Sequence, residues 1–81
     1  MIYKEHNSRQ LFDNGRKLRA EGKYPESIKT FTLLIQENSE FGKAYFERAV
    51  CYYKLGSFIN AEHDLQAAAV LGCEEALFWS R

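Results

Sequence analysis

Residues thirty-four apart in this chain match in kind over most of its length. Gly22 falls on Gly56, Phe12 on Phe46, Gly15 on Ala49, Tyr24 on Phe58, Ser27 on Ala61 and Phe31 on Leu65. Leu11 falls on Tyr45, Leu18 on Tyr52, Leu34 on Ala68 and Asp13 on Glu47. The apolar residues inside each copy recur at three- and four-residue steps, so each copy is a pair of helices. One pair cannot bury both of its faces, so successive pairs must stack. The chain is a helical hairpin written twice, followed by the start of a third.

Met1 to Asn7 reads as a short polar leader with frayed ends. Asn7 or Ser8 is placed to cap a first helix from about Ser8 to Glu21, ended by Gly22. Pro25 opens the second helix, where a missing N–H costs nothing, and Glu26 suits the positive end of its dipole. Its buried stripe is Ile28, Phe31, Leu34 and Ile35, and it ends near Glu37. The third helix runs from about Gly42 to Leu55, with Gly56 as its stop. The fourth runs from about Phe58 to Leu71, with Ala61, Leu65, Ala68 and Ala69 inward and Gly72 after it. A fifth begins at Glu74 and carries Leu77, Phe78 and Trp79. This divides the chain into a leader (1–7), a first repeat (8–41), a second repeat (42–75) and a partial capping helix (76–81). Small residues at matched places, Gly15 with Ala49 and Ser27 with Ala61, mark where the helices of a hairpin come closest.

Composition narrows the function. The formal net charge is zero, which argues against a bulk electrostatic role on nucleic acid or an anionic membrane. No apolar run approaches a membrane span and the start has no signal peptide, so a cytoplasmic location is expected. Cys51 and Cys73 form no disulfide framework: Cys51 lies in an apolar helical pattern as a buried thiol, and Cys73 is expected at an exposed loop. With His6 and His63 they show no zinc-ligand spacing, and no cofactor is expected. No catalytic constellation appears either. His63 and Asp64 are adjacent and point to different faces, and no serine or cysteine stands at a matching helical spacing.

The residues that repeat resemble the tetratricopeptide consensus, W-x2-L-G-x2-Y…A-x3-F…P. The second copy reads Tyr45, Arg48, Ala49, Tyr52, Ala61 and Leu65, with Cys73 at the proline place. The first reads Leu11, Asn14, Gly15, Leu18, Ser27 and Phe31, with Ser39 at that place. Trp79 stands where a third copy's tryptophan belongs. The resemblance implies an all-α fold, a short right-handed α-solenoid of about five helices. The stretch AAAVLGCEEA also resembles a Sel1-like helix end, although the longer glycine-rich turn of that family is absent. A pentatricopeptide-like RNA binder has a period about one residue longer and needs a strong basic stripe, which a neutral chain does not offer.

In tetratricopeptide arrays the first helices of each pair line a concave groove. The resemblance places Arg9, Phe12, Arg16 and Arg19 of the first copy there, with Lys43, Phe46, Val50, Tyr53 and Lys54 of the second. A basic and aromatic groove suits a peptide or protein segment with acidic and apolar side chains. The alternative is a set of ordinary solvated helix faces, with Phe12 and Phe46 partly in the core. YFERAVCYYKLG is also similar to co-chaperone repeats whose carboxylate clamp grips the tail of heat-shock chaperones. The five clamp places hold Phe12, Arg16, Glu47, Leu77 and Arg81. Arg81 alone fits, and Glu47 opposes a carboxylate. Arrays of this kind need about three repeats. Leu77, Phe78 and Trp79 are therefore expected either to cap the fourth helix and mediate self-association, or to begin a further part of a longer protein. The expectation is a non-catalytic adaptor.

Overall fold

The computed structural model describes residues 3–79, with side chains from residue 7 onward. The fold is all-α, with five helices among the described residues: α1 (Tyr3–Ala20), α2 (Tyr24–Glu37), α3 (Gly42–Lys54), α4 (Phe58–Val70) and α5 (Glu74–Trp79). Each helix packs on the next in chain order, and α1 also reaches α3. The result is a short solenoid of antiparallel hairpins.

The stops work by one device used three times. Gly22, Gly56 and Gly72 have φ of 80°, 81° and 90°, a region that a Cβ disfavours. The next residue's N–H then reaches back five carbonyls: Lys23 to Leu18 and Cys73 to Ala68 at 2.9 Å, Ser57 to Tyr52 at 2.8 Å. Each glycine N–H closes the shorter partner bond, which makes a Schellman motif. The α4–α5 link thus copies the turn inside the hairpins. The α2–α3 link differs, passing through Asn38 to Phe41 with no left-handed residue.

The small residues do meet at the tightest point. Ser27 Oγ donates to the Gly15 carbonyl at 2.7 Å and accepts from Cys51 Sγ at 3.3 Å. A Cβ on Gly15 would lie 2.6 Å from the Phe31 ring, which is fully buried. Two core clusters flank this point. Phe31, Leu34 and Ala44 form the first, with Leu11, Phe12, Ile35 and Phe41 packed against it. Ala49, Ala61, Leu65, Ala68, Cys73 and Ala76 form the second, backed by Tyr45, Phe46 and Tyr52.

Three expectations need correction. α1 starts at Tyr3, so residues 3–7 of the expected leader are helical. Ser8 is therefore buried inside a helix and caps nothing. Cys73 is buried as well, because α5 folds back through Ala76 and covers it. Ser80 and Arg81, the end of the expected capping helix, lie outside the described residues. The close approach at Gly15 gives a direct test. Gly15→Val must displace a ring with nowhere to go, and it is expected to lower unfolding free energy by about 1–3 kcal/mol in urea melts.

Candidate interaction face

Two adjacent residues on α3 join the hairpins. Glu47 turns toward α1, where Arg19 Nε lies 2.7 Å from Oε1 and Arg16 Nε lies 3.6 Å from Oε2. The Arg19 N–H does not align with that oxygen, so the short approach is an attraction of charges rather than a hydrogen bond. The Glu47 side chain is only 10% exposed, so its charge needs these partners. Arg48 turns the other way. Its Nε and Nη2 donate to Asp64 of α4 at 2.7 and 2.9 Å, a two-pronged grip. Its Nη1 donates to Thr32 Oγ1 of α2 at 3.0 Å, and Thr32 in turn donates to the Ile28 carbonyl. The rings of Tyr45 and Tyr52 flank the guanidinium at 5.8 and 5.9 Å.

The hydrogen-bonded Asp64 carboxylate raises the Arg48 pKa above its ordinary value, against the desolvation that would lower it. A raised folded-state pKa stabilises below the unfolded value and is lost only as pH rises through the folded one. Both lie far above neutrality here, so this contribution is constant over the working pH range. Burial pushes the Cys51 thiol up, partly offset by its bond to Ser27, and burial pushes up Cys73 also. Asp64 is thus committed to Arg48 and Cys51 to Ser27.

Phe46, Val50, Tyr53 and Lys54 recur at helical steps along one side of α3. Trp79 of α5 meets this row, edge-on to Phe46 at 5.6 Å and to Tyr53 at 5.8 Å. Tyr53 also meets Phe58 of α4 at 5.1 Å. Val50, Tyr53, Lys54, Phe58 and Trp79 line a shallow cleft of about 360 Å³. A second cleft of about 230 Å³ shares the three rings and is floored by Ala61 and Leu65, with Glu62 on its wall.

Not every expected residue joins this place. Phe12 stacks on Phe41 at 5.1 Å and meets Phe31 edge-on, so it belongs mainly to the first core. Arg16 does lie over its ring, at 5.7 Å. Arg9 is paired with Asp13 one turn on, at 4.0 Å. Lys43 lies at the opposite end of α3 and lines a separate cleft with Leu71, Glu74, Glu75 and Phe78. Val50 is mostly buried. Leu77 and Phe78 are 54% and 75% exposed, whereas Trp79 turns onto α3. The expected basic stripe is weaker than its composition suggests, because Glu47 and Asp13 answer three of its arginines. Phe58 and Glu62 were not among the expected groove residues. The thirty-four-residue match of Tyr24 to Phe58 hides Phe58 among core positions, although it is 57% exposed.

The grip on Asp64 can be tested by thermodynamics. Asp64→Ala leaves a largely buried guanidinium without its carboxylate and is expected to cost about 3–5 kcal/mol in denaturant unfolding. Arg48→Met/Asp64→Leu removes both charges and is expected to recover most of that loss.

Comparison with known proteins places relatives beside this geometry. No family model matches the chain, and no solved structure matches it. It is similar to the Hsp70-Hsp90 organizing protein 1 of Glycine max, 44% identical over 54 residues that cover 67% of this chain and 9% of that protein. The Hsp70-Hsp90 organizing protein of Triticum aestivum is 38% identical over 54 residues, again 67% and 9% of the two chains. The Hsp70-Hsp90 organizing protein 3 of Arabidopsis thaliana is 34% identical over 74 residues, 80% of this chain and 13% of the relative. The chain therefore spans about a tenth of the length of these curated relatives.

Proposed function

We propose that this chain is a tetratricopeptide-type interaction module that holds a protein partner without catalysis. Its site is the face carried by Phe46, Val50, Tyr53, Lys54 and Trp79. The observation behind this reading is that row of exposed and half-buried aromatic side chains from α3, α4 and α5, fixed edge to face. Rings so held offer apolar area with little entropy left to lose, which is what anchors a partner. Among the described residues, Lys54 and Lys43 have no ion pair, so they are available to acidic groups. The partner is a segment with apolar and acidic side chains. Among the described residues, no helix is long and apolar enough to cross a membrane.

The relatives' name points to chaperones of the Hsp70 and Hsp90 classes as the partners to try first. The mode we propose is not a clamp on a terminal carboxylate. Phe12 is engaged in the core and Glu47 already occupies Arg16 and Arg19, so an incoming carboxylate would have to displace Glu47. The partner is instead held by side chains along the segment.

Surface plasmon resonance with purified Hsp70 and Hsp90 tests both parts. Retention by the native chain is expected to fall about tenfold or more in Tyr53→Ala/Lys54→Glu. Deleting the chaperones' C-terminal tails should leave most of the binding. No retention of either chaperone, or retention that the double variant does not weaken, overturns the proposed site. Complete loss on tail deletion overturns the clamp-free mode.

A further inference from the structure

The smaller of the two aromatic clefts has a chemistry of its own. Its walls are Tyr53, Phe58 and Trp79, its floor is Ala61 and Leu65, and Glu62 stands on its rim. The rings are steeply inclined to one another, 82° between Tyr53 and Phe58 and 62° between Tyr53 and Trp79. Each ring remains about half exposed, at 51%, 57% and 44% for Tyr53, Phe58 and Trp79. Glu62 is exposed and makes no ion pair among the described residues. Lys54 lines the adjoining cleft and not this one.

An apolar docking pocket needs only apolar walls. Among the described residues, the single ionised group on the wall is a carboxylate, and it stands beside three ring systems. Ring faces attract cations through their quadrupole, most strongly when one of them is an indole. A carboxylate at the same mouth adds to that attraction and would repel an acidic side chain. The volume of about 230 Å³ is sufficient for the head of one long basic side chain.

We propose that this cleft receives the cationic head of an arginine or lysine side chain from a bound protein segment. The head lies among Tyr53, Phe58 and Trp79 with its charge toward Glu62, and the stem covers Ala61 and Leu65. This rests on the interaction-module reading and sharpens it. The face would read an acidic group at the Lys54 end and a basic one at the Glu62 end, about the same three rings. The segment so recognised carries opposite charges flanking an apolar stretch, not acidic residues throughout.

Trp79 is the only tryptophan in the chain, which makes the cleft report on itself. The probes are the Nα-acetyl amides of arginine, citrulline and norleucine, titrated into the full chain. The indole N–H resonance and the tryptophan emission are followed. Citrulline keeps the shape of arginine without its charge, and norleucine keeps the apolar stem. Arginine amide is expected to give a saturable shift with a dissociation constant about fivefold or more below that of citrulline amide. Glu62→Gln should cut that preference severalfold and leave norleucine binding unchanged. Phe58→Ala should abolish the preference. Both positions are exposed, and far-ultraviolet circular dichroism checks that each variant stays folded. Equal binding of the three amides, or an arginine preference that survives Glu62→Gln, overturns the inference and leaves an ordinary apolar pocket. If the amides fail to discriminate while chaperone retention still depends on Tyr53 and Lys54, only this inference falls. If arginine amide binds as described while neither chaperone is retained, the chaperone reading falls instead.

Discussion

The ionic side chains at Glu47 and Arg48 tie the first hairpin to the second. They are neighbours on α3, yet one reaches α1 and the other reaches α2 and α4. A solenoid's repeats touch only their neighbours, so the junction between two hairpins decides whether they act as one body. Beside the apolar contacts of the first core, that junction carries charges that cannot be left unpaired in a largely buried setting. Apolar packing alone would tolerate small slides of one hairpin over the other. The Glu47 pairs with α1 and the Arg48 bond to Thr32 of α2 tolerate far less, and the two-pronged grip on Asp64 within the second hairpin fixes the direction in which the Arg48 guanidinium is presented.

That fixed junction gives the aromatic row its shape. Phe46, Val50 and Tyr53 are one turn from Glu47 or from each other on the same helix, so their positions follow from how α3 is held. Trp79 meets this row because α4 ends in the same left-handed glycine turn that closes each hairpin. The turn brings Ala76 into the second core and leaves Trp79 over Phe46. A stop signal in the sequence thereby becomes a feature of the candidate site.

Much of this was legible in the residues and some was not. The period of thirty-four residues, the glycine stops and the close approach of Gly15 to Ser27 could all be read, because each is a local requirement that repeats. Arg48 stands where the consensus has a leucine, and nothing in its spacing says that it faces Asp64 rather than core. In the sequence Asp64 stands out only as a neighbour of His63, while its partner lies on another helix sixteen residues away. Glu47 was seen as hostile to an incoming carboxylate. Its engagement by Arg16 and Arg19 is not legible there, because the pairs link the first helices of two different hairpins, with α2 between them in the chain. The start of α1 is not legible because a short polar stretch has the same composition whether it is a loop or a helix. Helix face alone puts Lys43 and Arg9 with the site, but it says nothing of how far apart along that face they sit.

The central claim is that the charge junction makes the two hairpins one cooperative body. Native-state hydrogen exchange tests it most directly. The slowest amides of α2, α3 and α4 are predicted to exchange with a single free energy equal to that of global unfolding. If amides of α1 and α2 instead open at a clearly lower free energy than those of α3 and α4, the hairpins unfold separately. The junction then does not hold the array together, and the account is wrong at its base.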